Sequence, residues 1–133
     1  MKKIAKLLLI VLGGAVLFVA LAIGGFALVM FNGMDATQRL SIGAVDASGL
    51  ADGAYVGGYD AGRFANRVSI TVSNGKITGI DVMKTVQFEQ PELTKALVDR
   101  VITSQNTDVD VQSGATLTSK AYLASIEDAL GKK

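Results

Sequence analysis

The chain has 133 residues, half of them apolar, with a formal net charge of +1 and neither cysteine nor histidine. Those two absences exclude disulfides, iron–sulfur clusters, thiol nucleophiles and lipidated thiols, and also imidazole metal sites, histidine-ligated haem and Ser-His triads. From Asn32 onward ten basic residues stand against twelve acidic ones, a net of −2, which is the wrong sign for a nucleic-acid binder and leaves no polybasic patch for anionic lipid.

Residues 7–31 run without a charged or strongly polar side chain. As a helix, 25 residues cross a bilayer core of about 30 Å with some tilt to spare. Lys2, Lys3 and Lys6 precede the run, so residues 1–6 are expected in the cytoplasm. Ala20-Leu21-Ala22 offers a small-residue cleavage site, the mark of a signal peptide. The apolar run continues well past it, and a signal's apolar region is usually only about 7–15 residues. The expectation is an uncleaved single-pass anchor over 7–31, with the rest of the chain on the far side of the membrane from the cytoplasm. Residues 32–50 mix small, polar and isolated apolar side chains in neither helical nor strand period, and read as a tether to a domain over 51–133.

The domain opens with a turn at Asp52-Gly53 and a short glycine-rich strand over Ala54 to Tyr59, whose missing side chains let another backbone or a flat ligand approach. Val68, Ile70 and Val72 alternate with Arg67, Ser69, Thr71 and Ser73, a half-buried strand. Asn74-Gly75 is a type I′ hairpin signal, since both turn residues need positive φ. On the return, Ile77 differs in parity from Ile80 and Val82, which predicts a bulge at Gly79. A helix follows, with Pro91 in its first turn, Glu89 and Glu92 at its positive end, and Leu93, Ala96, Leu97 and Val101 along one face. A second helix carries Tyr122, Leu123, Ile126 and Leu130 and stops at Gly131. The fold class expected is α+β: a small antiparallel meander packed on about two helices, preceded by one transmembrane helix.

Between the helices lies DVDVQSGATLTSKAY, residues 108–122. Its hydroxyls can cap the last helix, with Thr118 or Ser119 as N-cap. The same physics suits a phosphate: Gly114 frees the backbone, Ala115 adds no bulk, and Thr116 stands just before unpaired N–H groups at the positive helix end. The spacing is neither a Walker loop nor a dinucleotide GxGxxG. Asp110 is either a functional carboxylate or a turn-forming residue that bonds nearby backbone.

The run Asp110-Val111-Gln112-Ser113-Gly114-Ala115-Thr116, followed by Leu117-Thr118-Ser119, resembles the flavinylation motif of the FMN-binding domain family. That family includes the small FMN-carrying subunits of bacterial ion-pumping NADH:quinone and ferredoxin-linked oxidoreductases, and many short membrane- or lipid-anchored proteins. DGAYVGGYDAG resembles the family's opening Asp-Gly-x-Tyr-x-Gly, and VSITVSNGKITGIDVMK its hairpin. FEQPEL resembles its Glu-Thr-Pro segment, with Gln90 where Thr is usual and Glu92 where Gly is usual. The four segments occur in family order over residues 52–130.

The resemblance implies FMN held as a phosphoester on Thr116, installed from FAD by a separate Mg²⁺-dependent flavin transferase. It places Ser113, Gly114, Ala115, Leu117, Thr118, Ser119 and Asp110 around the attachment, with Glu89 and Tyr55 as further flavin contacts. Tyr59, Phe64, Met83, Phe88 and Tyr122 are other candidates for the flat apolar neighbour a flavin needs. The implied role is an electron-transfer carrier exchanging electrons with membrane proteins or a quinone-linked oxidoreductase, rather than a stand-alone enzyme. The alternatives are an FMN-carrying subunit of a larger membrane complex, and a membrane-tethered binding or structural module without flavin.

Overall fold

The computed structural model describes residues 1–111 and 115–131. The chain divides into two compact units, Met1–Asn32 and Gly33–Lys133. The first is one helix, α1 (Lys2–Phe31), with no buried residue. It is long and apolar enough to cross a membrane, a property that a transmembrane span and a signal sequence share.

In the second unit, the described residues form a three-stranded antiparallel sheet in the order β1 (Gly53–Tyr59), β2 (Asn66–Ser73), β3 (Lys76–Lys84). The other elements are a five-residue helix α2 (Met34–Gln38), one 3-10 turn (Gly62–Phe64), and helices α3 (Pro91–Ser104) and α4 (Thr116–Gly131). The architecture is α+β, as the periodicities predict.

The hairpin has its expected chemistry. Asn74 and Gly75 take φ of +52° and +70°, the pair a type I′ turn demands. The Asp52 carboxylate accepts from Asn74 N–H at 2.8 Å and so ties the start of β1 to this turn. The register shifts where Thr71 pairs with Gly79 and Val72 with Ile77, so Thr78 is the extra residue, next to the expected Gly79. A second shift lies between Arg67, paired with Lys84, and Val68, paired with Val82, which skips Met83.

Val68, Ile70 and Val72 point from β2 into a core completed by Leu97 and Val101 of α3 and by Tyr122, Leu123, Ile126 and Leu130 of α4. Helix α4 crosses β1 and β2. Gly57 makes this crossing possible, since a Cβ there would stand 2.2 Å from Ser125 O and 2.3 Å from Ala129 N. Asp128 of α4 accepts from Gly58 N–H at 2.9 Å. Helix α3 meets edge strand β3 through Gln105. This left-handed C-cap residue accepts from Ile77 N–H at 2.7 Å and donates to Ile77 O at 2.8 Å. One side-chain amide thus satisfies both backbone groups of an edge residue beside a bulge.

Residues 32–50, expected from the sequence to tether the anchor to the domain, include the short helix α2; from Gly33 onward they belong to the second unit and pack there as a strap. Thr37 is fully buried, bonded through Oγ1 to Gly33 O at 2.7 Å and to Tyr59 OH at 3.1 Å. Thr107 Oγ1 donates to Gly43 O at 2.6 Å, and the Glu127 carboxylate accepts from Gly43 N–H. Ala47 enters the core, and Ile42, Val45 and Leu50 lie half-buried against it. The segment lacks period because it is an irregular strap, and its apolar residues are fixed by tertiary contacts that no local pattern encodes.

Candidate functional site

Helix α4 begins at Thr116, not at Thr118 or Ser119. Ser119 N–H already donates to Ala115 O at 2.9 Å, which makes Ala115 the residue before the first turn. Thr118 and Ser119 belong inside the helix because they turn toward α3: with Leu93, Thr94 and Leu97 they border a cavity of only about 10 Å³. Ser119 is itself buried. Thr116 is exposed at the first position, where the opening N–H groups of a helix have no intrahelical acceptor and carry its positive end.

Thr116 lies on a cleft of about 400 Å³, within the range of about 300–1,000 Å³ usual for small-molecule sites. Ala115 just before α4 and Leu117 and Thr118 within it line the cleft, with Phe64 and Phe88 as aromatic walls and Met34 and Gln90 also bordering it. Arg63 is the one cation among the described lining residues. Its guanidinium carbon stands 4.3 Å from the centroid of the Phe64 ring, and Phe64 is buried beneath it. Arg63 Nε is buried with no hydrogen-bond partner, an arrangement that costs about 1–3 kcal/mol unless a ligand completes it.

Phe88 is 61 % exposed, yet its φ is +57°, a left-handed conformation rare for a bulky side chain. Its neighbours hold it there. Gln87 N–H donates to Arg63 O at 2.9 Å, and Val86 N–H donates to Tyr122 OH at 3.2 Å. Such strain persists where surrounding contacts over-determine it, often at ligand sites.

The other sequence candidates are spread out. Tyr122 is buried in the core, with its hydroxyl 3.4 Å from Glu89 Oε1. Burial first, and then the Glu89 charge, hold its pKa above the usual tyrosine value, against the opposing effect of Val86 N–H. Glu89 is not among the described residues lining the cleft and reaches Tyr122 instead. Asp110 is exposed on a separate open depression with Asp99 and Arg100, and Arg100 Nη1 donates to its carbonyl at 2.9 Å. Tyr55 is not among the described cleft residues. Its register places it opposite Ile70, and its hydroxyl donates to Ala51 O at 2.7 Å. Tyr59 is engaged with Thr37, and Met83 is exposed at the β3 irregularity. Ser113 and Gly114 lie outside the described residues.

The chemistry of this cleft fits FMN. It offers aromatic and aliphatic walls for a flat ring, an exposed threonine at a positive helix end for a phosphate, and a cation with an unsatisfied buried donor. No carboxylate is among the described lining residues to repel an anion. A second depression of about 360 Å³ near Asp60, Arg67, Lys84 and Asp128 mixes charges of both signs; it takes Gly57 and Tyr59 from the glycine-rich strand, and its described lining includes no residue of the 110–119 run. Arg63 carries no motif signal. Its approach to Thr116 comes from the 3-10 turn between β1 and β2, which a linear reading leaves as a loop.

Residues 65–131 match the model of the FMN-binding domain family. No curated protein matches the chain. The match spans the hairpin, helices α3 and α4 and the Thr116 segment and begins two residues after Arg63. The chain belongs to the FMN-binding domain family.

Proposed function

We propose that the protein is a membrane-anchored, extracytoplasmic electron carrier whose FMN is held as a phosphoester on Thr116. The observation that carries this reading is the position of Thr116: exposed, first in α4, and on the rim of the cleft walled by Arg63, Phe64 and Phe88. Helix α1 would hold the protein in the cytoplasmic membrane, with Lys2, Lys3 and Lys6 inside. Partners would be membrane electron donors and acceptors, or a quinone-linked oxidoreductase.

Attachment is a phosphoryl transfer in which Thr116 Oγ attacks the riboflavin-side phosphorus of FAD. The Oγ–P bond forms, the bridging P–O bond breaks, AMP leaves, and the hydroxyl proton passes to a base. A threonine hydroxyl is a weak nucleophile without one. The described cleft residues include no carboxylate, so the base and the Mg²⁺ are assigned to a transferase. The free N–H groups at the start of α4 would bind the phosphate, and Phe88 and Leu117 would pack on the ring. Bound there, FMN supplies the electron-transfer chemistry.

The test is co-expression of the full chain with a competent flavin transferase. Flavin fluorescence that stays with the protein band after SDS denaturation supports covalent attachment. A colourless band beside a fluorescent positive control would reject it.

A further inference from the structure

Arg63 is held in a way that surface arginines are not. Its guanidinium carbon stands over the ring of buried Phe64, 4.3 Å from the centroid, and its Nε is buried without a partner while the side chain lines the Thr116 cleft. Within that cleft the phosphate end is already provided for, because the first N–H groups of α4 lie at Thr116 and suit an anion by themselves. Arg63 instead belongs to the aromatic end. Its carbonyl accepts from Gln87 N–H at 2.9 Å, which fixes the turn carrying Phe88 beside it, and Phe64 follows it in sequence.

We propose that Arg63 is a flavin-positioning residue whose guanidinium pairs with the N1 and C2 carbonyl edge of the isoalloxazine and favours the reduced ring. The inference rests on the FMN reading above. A planar guanidinium presents neighbouring donors that match two adjacent acceptors, and its charge persists at every working pH. Reduction of a flavin by two electrons and one proton leaves a negative charge over N1 and that carbonyl. A fixed cation there stabilises the reduced form more than the oxidised one, and more strongly where water is partly excluded.

The test uses the full-length chain, flavinylated and purified in detergent, as wild type, Arg63→Gln, Arg63→Met and Arg63→Lys. Arg63→Met keeps an unbranched apolar stem over Phe64 without the charge, so it serves if Arg63→Gln fails to fold. Intact mass first establishes loading, and midpoint potentials are then read by dithionite titration against a reference dye. Loss of charge should weaken the preference for the reduced flavin at least tenfold, a fall of about 30 mV for a two-electron couple. Arg63→Lys should recover part of it. An unchanged potential in a fully loaded, folded charge-loss variant would overturn the proposal. So would folded charge-loss variants that take up no flavin while wild type does, since that assigns Arg63 to attachment. Absence of flavin from wild type itself would instead remove the FMN reading.

Discussion

Tyr122 links the core to the rim of the site. Its hydroxyl accepts from Val86 N–H and contacts Glu89, so it fixes the segment that leads to Phe88. Tyr122→Phe leaves the Val86 N–H buried without its acceptor and should lower stability by about 1–3 kcal/mol, measured by urea denaturation. The pH dependence follows from the raised pKa of this tyrosine. The folded chain holds the phenolic proton more tightly than the unfolded chain. Its contribution is therefore complete below about pH 10, the ordinary tyrosine value, and is lost as pH climbs through the folded pKa. Stability measured from pH 9 to 11 should fall less steeply for Tyr122→Phe than for wild type.

Helix α4 is the element on which the site depends, and Gly57 is what lets it lie close to the sheet. A methyl at that position meets backbone atoms of Ser125 and Ala129, which cannot swing away as a side chain can. Gly57→Ala should destabilise the domain by about 1–3 kcal/mol and also displace the start of α4. Thermal melts and flavin loading should both decline, whereas Gly58→Ala, where the nearest atom to a new Cβ is 3.4 Å away, should be milder. Local chemistry made the three strands and helices α1, α3 and α4 legible in the sequence, but not the short α2. Asn74-Gly75 fixed the hairpin, and the parity change after Ile77 marked the bulge. The second irregularity at Met83 was hidden, because it depends on how Arg67 and Val68 pair across the sheet. The N-cap of α4 was misplaced by three or four residues. Thr118 and Ser119 have the hydroxyls of a cap, but their packing toward α3 draws them into the helix.

For the whole molecule, the strap over residues 33–50 packs within the same compact unit as the sheet. A chain lacking residues 1–32 retains the strap and should fold. A chain lacking residues 1–50 loses buried Thr37 and Ala47 and the bonds to Thr107 and Glu127, and should melt at a clearly lower temperature by circular dichroism. Composition revealed the long apolar helix and excluded thiol, iron–sulfur and imidazole chemistry. Resemblance over the ordered motifs pointed to Thr116. The walls of the cleft were not readable, because Met34, Arg63, Phe88 and Thr116 come from four separate segments that only the packed fold assembles.

The central claim concerns one oxygen atom, the Thr116 hydroxyl, and intact mass with peptide mapping reads it directly. The full chain is co-expressed with a flavin transferase as wild type, Thr116→Ala and Thr118→Ala. The account predicts one added FMN phosphoryl mass in wild type and in Thr118→Ala, mapped to the peptide containing Thr116, and none in Thr116→Ala. An added FMN that persists in Thr116→Ala, or that maps to Thr118, would contradict it.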